Sequence, residues 1–212
     1  MKTTQSTTVS LRTNRRDRSA RKSALRRGIL AASIAALTGL AAPLASHAAT
    51  FSYDSGDATV NWGAVNNWNP NGAPVNGSDL VFSVHTGGGA TRQATNNILT
   101  DVQSITFGGQ IFLLNGNPIT LGSGGITNNS ASTQTISFTG TGVTLGAAQT
   151  WTAATGNLNV NSAVNLGAFG LIVTGASNTT LSGVVSSSAG SSLTKNGNGT
   201  LNWNNAGLVG GM

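Results

Sequence analysis

Short apolar segments that alternate strictly with polar residues recur along this chain about every 20 residues, and that recurrence limits what it can fold into. Leu121, Leu145, Leu166, Leu181 and Leu201 stand at intervals of 24, 21, 15 and 20. Each sits in or beside a segment such as Ile119-Thr-Leu121, Val143-Thr-Leu145 or Leu158-Asn-Val160, and Gly, Asn and Ser fill the gaps. Alternation with period two puts one set of side chains inward and the other toward solvent. No window carries a helical period. Short strands and turns repeated at this interval predict an all-β, stacked β-solenoid, a quasi-one-dimensional fold in which each coil contacts its neighbours.

The formal charge of +6 belongs to one end. Lys2, Arg12, Arg15, Arg16, Arg18, Arg21, Lys22, Arg26 and Arg27 precede an uncharged apolar run, residues 28–44, which leads to Ala45-Ser46-His47-Ala48. A basic lead, an apolar core and small residues at Ser46 and Ala48 have the order of a secretory signal peptide cleaved between Ala48 and Ala49, so residues 1–48 read as a signal peptide. An uncleaved membrane anchor is the other reading of the run. Arg26-Arg27-Gly28-Ile29-Leu30 loosely matches a twin-arginine export motif, but Leu25 rather than Ser or Thr precedes the pair, which favours the general secretory route. Beyond the leader only Arg92 and Lys195 oppose Asp54, Asp57, Asp79 and Asp101. That leaves no basic cluster to neutralise phosphates, which argues against nucleic-acid binding. There is no cysteine, so stacking rather than disulfides must hold the exported domain together.

Residues 49–100 differ in texture from the rest. They hold Trp62, Trp68, Pro70 and Pro74, and an Asn76-Gly77-Ser78-Asp79 turn that leads into Leu80-Val81-Phe82. Terminal solenoid units close an otherwise open apolar end, so this segment reads as an atypical N-terminal cap. Residues 101–212 read as the solenoid repeats, with strands including 104–107, 111–114, 118–121, 134–138, 142–145, 150–152, 157–160, 163–166, 171–174, 179–185, 192–194 and 200–203. Gly-Ser-Gly-Gly at 122–125 and the run 186–190 are expected to be turns, and Asn residues at the joints are expected to hydrogen-bond along the stack. The stretch 204–212 holds neither charge nor proline to protect a strand edge, which reads as a repeat array cut short or continued by a partner.

The phrase Ser191-Ser-Leu193-Thr194-Lys195-Asn-Gly197-Asn-Gly199-Thr200-Leu201-Asn-Trp203 resembles the autotransporter-associated β-strand repeat, also called the passenger-associated transport repeat. The match is close over Leu193 to Leu201 and looser over 58–203. The resemblance implies an exported right-handed parallel β-helix and offers no catalytic residues. A β-barrel translocator often follows in such proteins, and no strands for one are found after residue 203.

Chemistry is sparse. Glycoside hydrolysis usually needs two carboxylates across the scissile bond, and the four acids all lie at or before Asp101. His85 has no evident acid or nucleophile around it and reads as a solvated loop residue. Asp54 and Asp57 lack the oxygen ligands of a calcium site. No metal or cofactor is expected. Trp62 and Trp68 have two readings: exposed glycan contacts, or the plug of the cap. The sequence therefore points to a non-enzymatic, exported structural or surface-interaction solenoid on the cell surface, outside the cell or in the periplasm. Its polar Thr, Ser and Asn face polysaccharide, matrix or neighbouring chains. A carbohydrate-binding or adhesive module and a polysaccharide-degrading β-helix enzyme are the alternatives.

Overall fold

The computed structural model describes residues 49–83, 91–205 and 208–209, all within one compact unit spanning residues 47–212. Residues 1–48, with the leader and Ala48, and His85 lie outside the described residues. Within them the chain is a β-solenoid of roughly five turns, built almost wholly from strands, with a 3-10 turn at Val65–Asn67.

Three faces recur in fixed order. The first comprises β3 (Asp79–Phe82), most of β5 (Asp101–Phe107), the end of β7 (Ile119–Asn128), β10 (Gln149–Ala153), β13 (Gly170–Thr174) and β16 (Ser192–Lys195). The second is β4 (Thr91–Asn96), β6 (Ile111–Gly116), β8 (Gln134–Phe138), β11 (Leu158–Val160), β14 (Thr179–Leu181) and β17 (Leu201–Trp203). The third starts with the first residues of β5 and β7 and continues through β9 (Val143–Leu145), β12 (Val164–Asn165), β15 (Val185–Ser186) and β18 (Leu208–Val209). All these pairings are parallel. Successive coils therefore stack at about 4.8 Å, the inter-strand spacing of any sheet.

Alternation determines what fills the interior. On the first face Leu80, Ile105, Ile126, Trp151 and Val173 align in one inward column, and each is fully buried. On the second, Ala94, Leu114, Ile136, Val160 and Leu181 form another. Ile119, Val143, Val164 and Val185 supply the third. Burying a side chain of this kind contributes about 1.5–3 kcal/mol, so the columns are the main source of cohesion.

The register corrects the leucine interval. Leu121 and Leu145 do pair across coils, but Leu181 stacks on Trp203, and Leu201 lies opposite Thr179. The 15-residue step from Leu166 to Leu181 is therefore a passage from the third face to the second. The true coil is the 20 to 25 residues that separate partners such as Ala94 and Leu114, or Leu80 and Ile105. Two local expectations also change. Residues 122–125 are a corner inside the continuous strand β7, where the register against β5 shifts between Val102 and Ser104. The expected strand 179–185 is divided at 182–184 into β14 and β15.

At the other end β1 (Thr50–Tyr53) lies parallel to β3, and β2 (Trp68–Asn69) runs antiparallel to β1. Beneath them Tyr53, Trp62, Trp68, Phe82, Phe107, Phe112 and Phe138 are buried together. Tyr53 and Trp68 meet edge to face at 5.1 Å, as do Trp62 and Phe138 at 5.9 Å. The parallel ladder already includes β3 and β4, so coil geometry begins at Asp79 rather than at residue 101.

Candidate interaction surface

The sequence-predicted glycan contacts Trp62 and Trp68 are both 0 % exposed. Trp62 is packed against Phe82 and Phe138, and Trp68 against Tyr53 and Phe82, so neither indole presents a face on which a sugar can stack and the exposed reading of these two residues is corrected. Trp151 is likewise buried, its indole N–H donating to Gln149 Oε1 at 2.8 Å, whereas Trp203 is partly buried.

The repeat phrase spans one corner. Leu193, Thr194 and Lys195 lie on β16, Leu201 begins β17, and Thr200 immediately precedes it. Gly197 holds φ +72°, and a Cβ there would lie 2.6 Å from the carbonyl oxygen of Gly175 in the coil below. At Gly199 a Cβ would collide with the carbonyl oxygen of Ser177. Both glycines are thus demanded by close approach of stacked backbones. Lys195 takes the inward register position above Val173 and is half-buried. Its ammonium donates to the carbonyl oxygens of Asn196 and Gly197.

The corners are closed by amides, in a different pattern from stacked amide pairs. Asn157 Oδ1 accepts the backbone N–H of Asn178 at 3.0 Å, and Asn178 Oδ1 accepts that of Thr200 at 2.9 Å. Buried Asn128 donates to the carbonyls of Ser132, Gly156 and Asn157 and accepts from the backbone and hydroxyl of Ser130. Gln134 takes the backbone N–H of Phe112 at 2.8 Å and donates to Gln110 O and Ser130 Oγ. Buried polar groups need such partners, and each amide here joins one coil to the next.

The acids are spread out. Asp54 and Asp57 serve local turns, accepting the N–H groups of Gly56 and Ala58, while Asp79 accepts the hydroxyl of Ser104. Asp101 pairs in register with Thr120. No group of three or more His, Cys, Asp or Glu side chains suited to a metal ion occurs among the described residues.

What the outer surface presents is hydroxyl and amide. On the first face Thr106, Thr127, Thr152 and Thr174 form one outward column. On the third face Thr120, Thr144, Asn165 and Ser186 form another, and on the second Thr135, Asn159, Thr180 and Asn202 a third. A shallow trough of about 400 Å³ lies on the first face. Small Ala148, Gly170 and Ser192 line it beside the larger register-aligned Thr150, Ile172 and Thr194. Ile172 is 39 % exposed, and Phe169, one residue before Gly170, is 38 % exposed. Neither residue stood out in the sequence. The signal for Ile172 was its outward place between inward Leu171 and Val173, whereas Phe169 falls in a turn where alternation says nothing.

Comparison with protein-family models, with curated proteins and with solved structures yields no match to this chain.

Proposed function

We propose that this chain is an exported structural or surface-interaction solenoid. The observation that carries the reading is the outer surface. Its register columns are Thr, Ser and Asn, and from Glu-free, Asp-free residue 102 onward the only charged residue is Lys195. Such a surface offers many weak hydrogen bonds and little electrostatic steering, which suits a rigid presenting scaffold better than a reaction centre. The likeness of 193–201 to the autotransporter-associated repeat supports the same reading, as does the basic and apolar leader. On it the chain has no catalytic role, and its partners are extracellular polysaccharide, matrix or neighbouring chains.

The test is fractionation of producing cells together with N-terminal sequencing of the protein recovered. A product that begins at Ala49 in the medium, periplasm or surface fraction is expected. Protein retained in the cytosol with residues 1–48 intact would overturn the reading. The enzyme alternative is checked on a panel of pectins and glucans: hydrolysis or elimination that disappears on Asp→Asn change at 54, 57, 79 or 101 would establish it.

A further inference from the structure

We infer that the trough on the first face is a binding site for a neutral polysaccharide lying along the stack. The inference rests on the surface-interaction reading and specifies the ligand class and the place. Three observations converge on it. First, the trough has a built shape, because the outward column through Gly170 and Ser192 is small while the neighbouring column Thr150, Ile172, Thr194 is large. A Cβ on Gly170 would stand 3.0 Å from the hydroxyl of Ser192, so glycine keeps the floor low.

Second, no residue lining it titrates. The polar groups offered are the hydroxyls of Ser123, Thr150, Ser192 and Thr194, each both donor and acceptor. A polyanion or polycation would lose hydration there without meeting a counter-charge, whereas a neutral polyol exchanges hydroxyl bonds for hydroxyl bonds. Third, Ile172, one of the few large apolar side chains exposed on the described surface, lines the trough itself. Sugar rings carry hydroxyls at their edges and C–H groups on their faces. An apolar platform set among hydroxyls matches that division.

The direction follows from the stack. β13 is paired on both sides, by β10 and β16, so no peptide strand can add to the backbone here and recognition must use side chains. Coils repeat at about 4.8 Å, a step close to the length that one ring adds to an extended β-linked glycan. A chain running along the stack thus meets equivalent positions on successive coils.

The experiment is affinity electrophoresis and titration calorimetry of the purified protein against hydroxyethyl cellulose, galactomannan and laminarin, with polygalacturonate as the anionic comparison. At least one neutral polymer is expected to retard the protein, and polygalacturonate is not. Ile172→Asp and Gly170→Leu, both at the trough, should each weaken binding tenfold or more, while Val184→Asp, at an exposed site that does not line the trough, should not. Circular dichroism and thermal midpoints check that all three variants fold. Absence of binding to every neutral polymer, equal binding of polygalacturonate, or unchanged binding by folded Ile172→Asp would each overturn the inference. If the protein is exported but binds no glycan, the ligand assignment fails and the surface reading stands.

Discussion

The indole N–H of Trp68 donates to the carbonyl oxygen of Trp62 at 2.8 Å, and the two rings meet edge to face at 6.1 Å inside the closed end of the solenoid. The bond satisfies a buried donor where water has no access. It also fixes the ring that covers Tyr53 and Phe82. The cap is therefore one aromatic unit whose members are not interchangeable.

Trp68→Ala should lower stability by about 3–5 kcal/mol, the usual cost of emptying a large buried aromatic site. Trp68→Phe keeps most of the apolar contact but leaves the Trp62 carbonyl without its donor, and should cost less. Urea midpoints of the two variants against the parent chain measure the difference.

Gly197→Ala forces a side chain into the left-handed region and against the Gly175 carbonyl. A loss of about 1–3 kcal/mol is expected. Asn198→Ala, one residue away and exposed, should stay within about 0.5 kcal/mol of the parent. Thermal denaturation of both variants tests whether the corner glycine is structural.

Asn128 donates to three carbonyls in two coils, and Asn128→Ala removes all three bonds at once, although Asn157 O keeps the backbone N–H of Gln134 and Ser132 O the hydroxyl of Ser130. About 2–3 kcal/mol should be lost. The loss should appear as faster hydrogen exchange at β8 and β11, the strands this corner joins. Uniform destabilisation with no local change in exchange would count against the hub role.

Tyr53, the only tyrosine, is 1 % exposed and donates its hydroxyl to Val60 O. Burial pushes its pKa up to about 12, above the ordinary value of 10. The folded state then holds this proton more tightly than the unfolded state. The contribution to stability is complete below pH 10 and is lost as pH rises through 12. Phenolate absorbance should rise near pH 12 in the folded protein and near pH 10 in denaturant. Tyr53→Phe should lessen the alkaline loss of stability.

Most strands were legible because their alternation is strict. Residues 134–138 emerge as predicted, since Gln134, Ile136 and Phe138 all face inward. The corners were harder to read. Gly-Ser-Gly-Gly at 122–125 has turn composition, yet it continues β7, because β5 beneath it supplies a ladder on both sides of the corner. The buried amides were also ambiguous. Asn128 lies in an Asn pair at a joint, where hydrogen bonding along the stack is expected, but only the coil above shows which carbonyls it serves.

The outer surface follows the same division. Outward Thr and Asn were visible as the polar half of each alternating segment, whereas Trp62 and Trp68 carried no local sign of their direction. A tryptophan suits a plug and a sugar platform equally until its neighbours are placed.

By itself the sequence determined that this chain alternates with period two, turns at Gly and Asn, and repeats at a coil-sized interval, because backbone geometry fixes those properties locally. Only the tertiary structure decided which segments lie above one another. Register is a relation between residues 20 to 25 positions apart. A sequence interval cannot distinguish a step along the stack from a step around it, and that distinction sets Leu181 on Trp203 and Ile172 between Thr150 and Thr194.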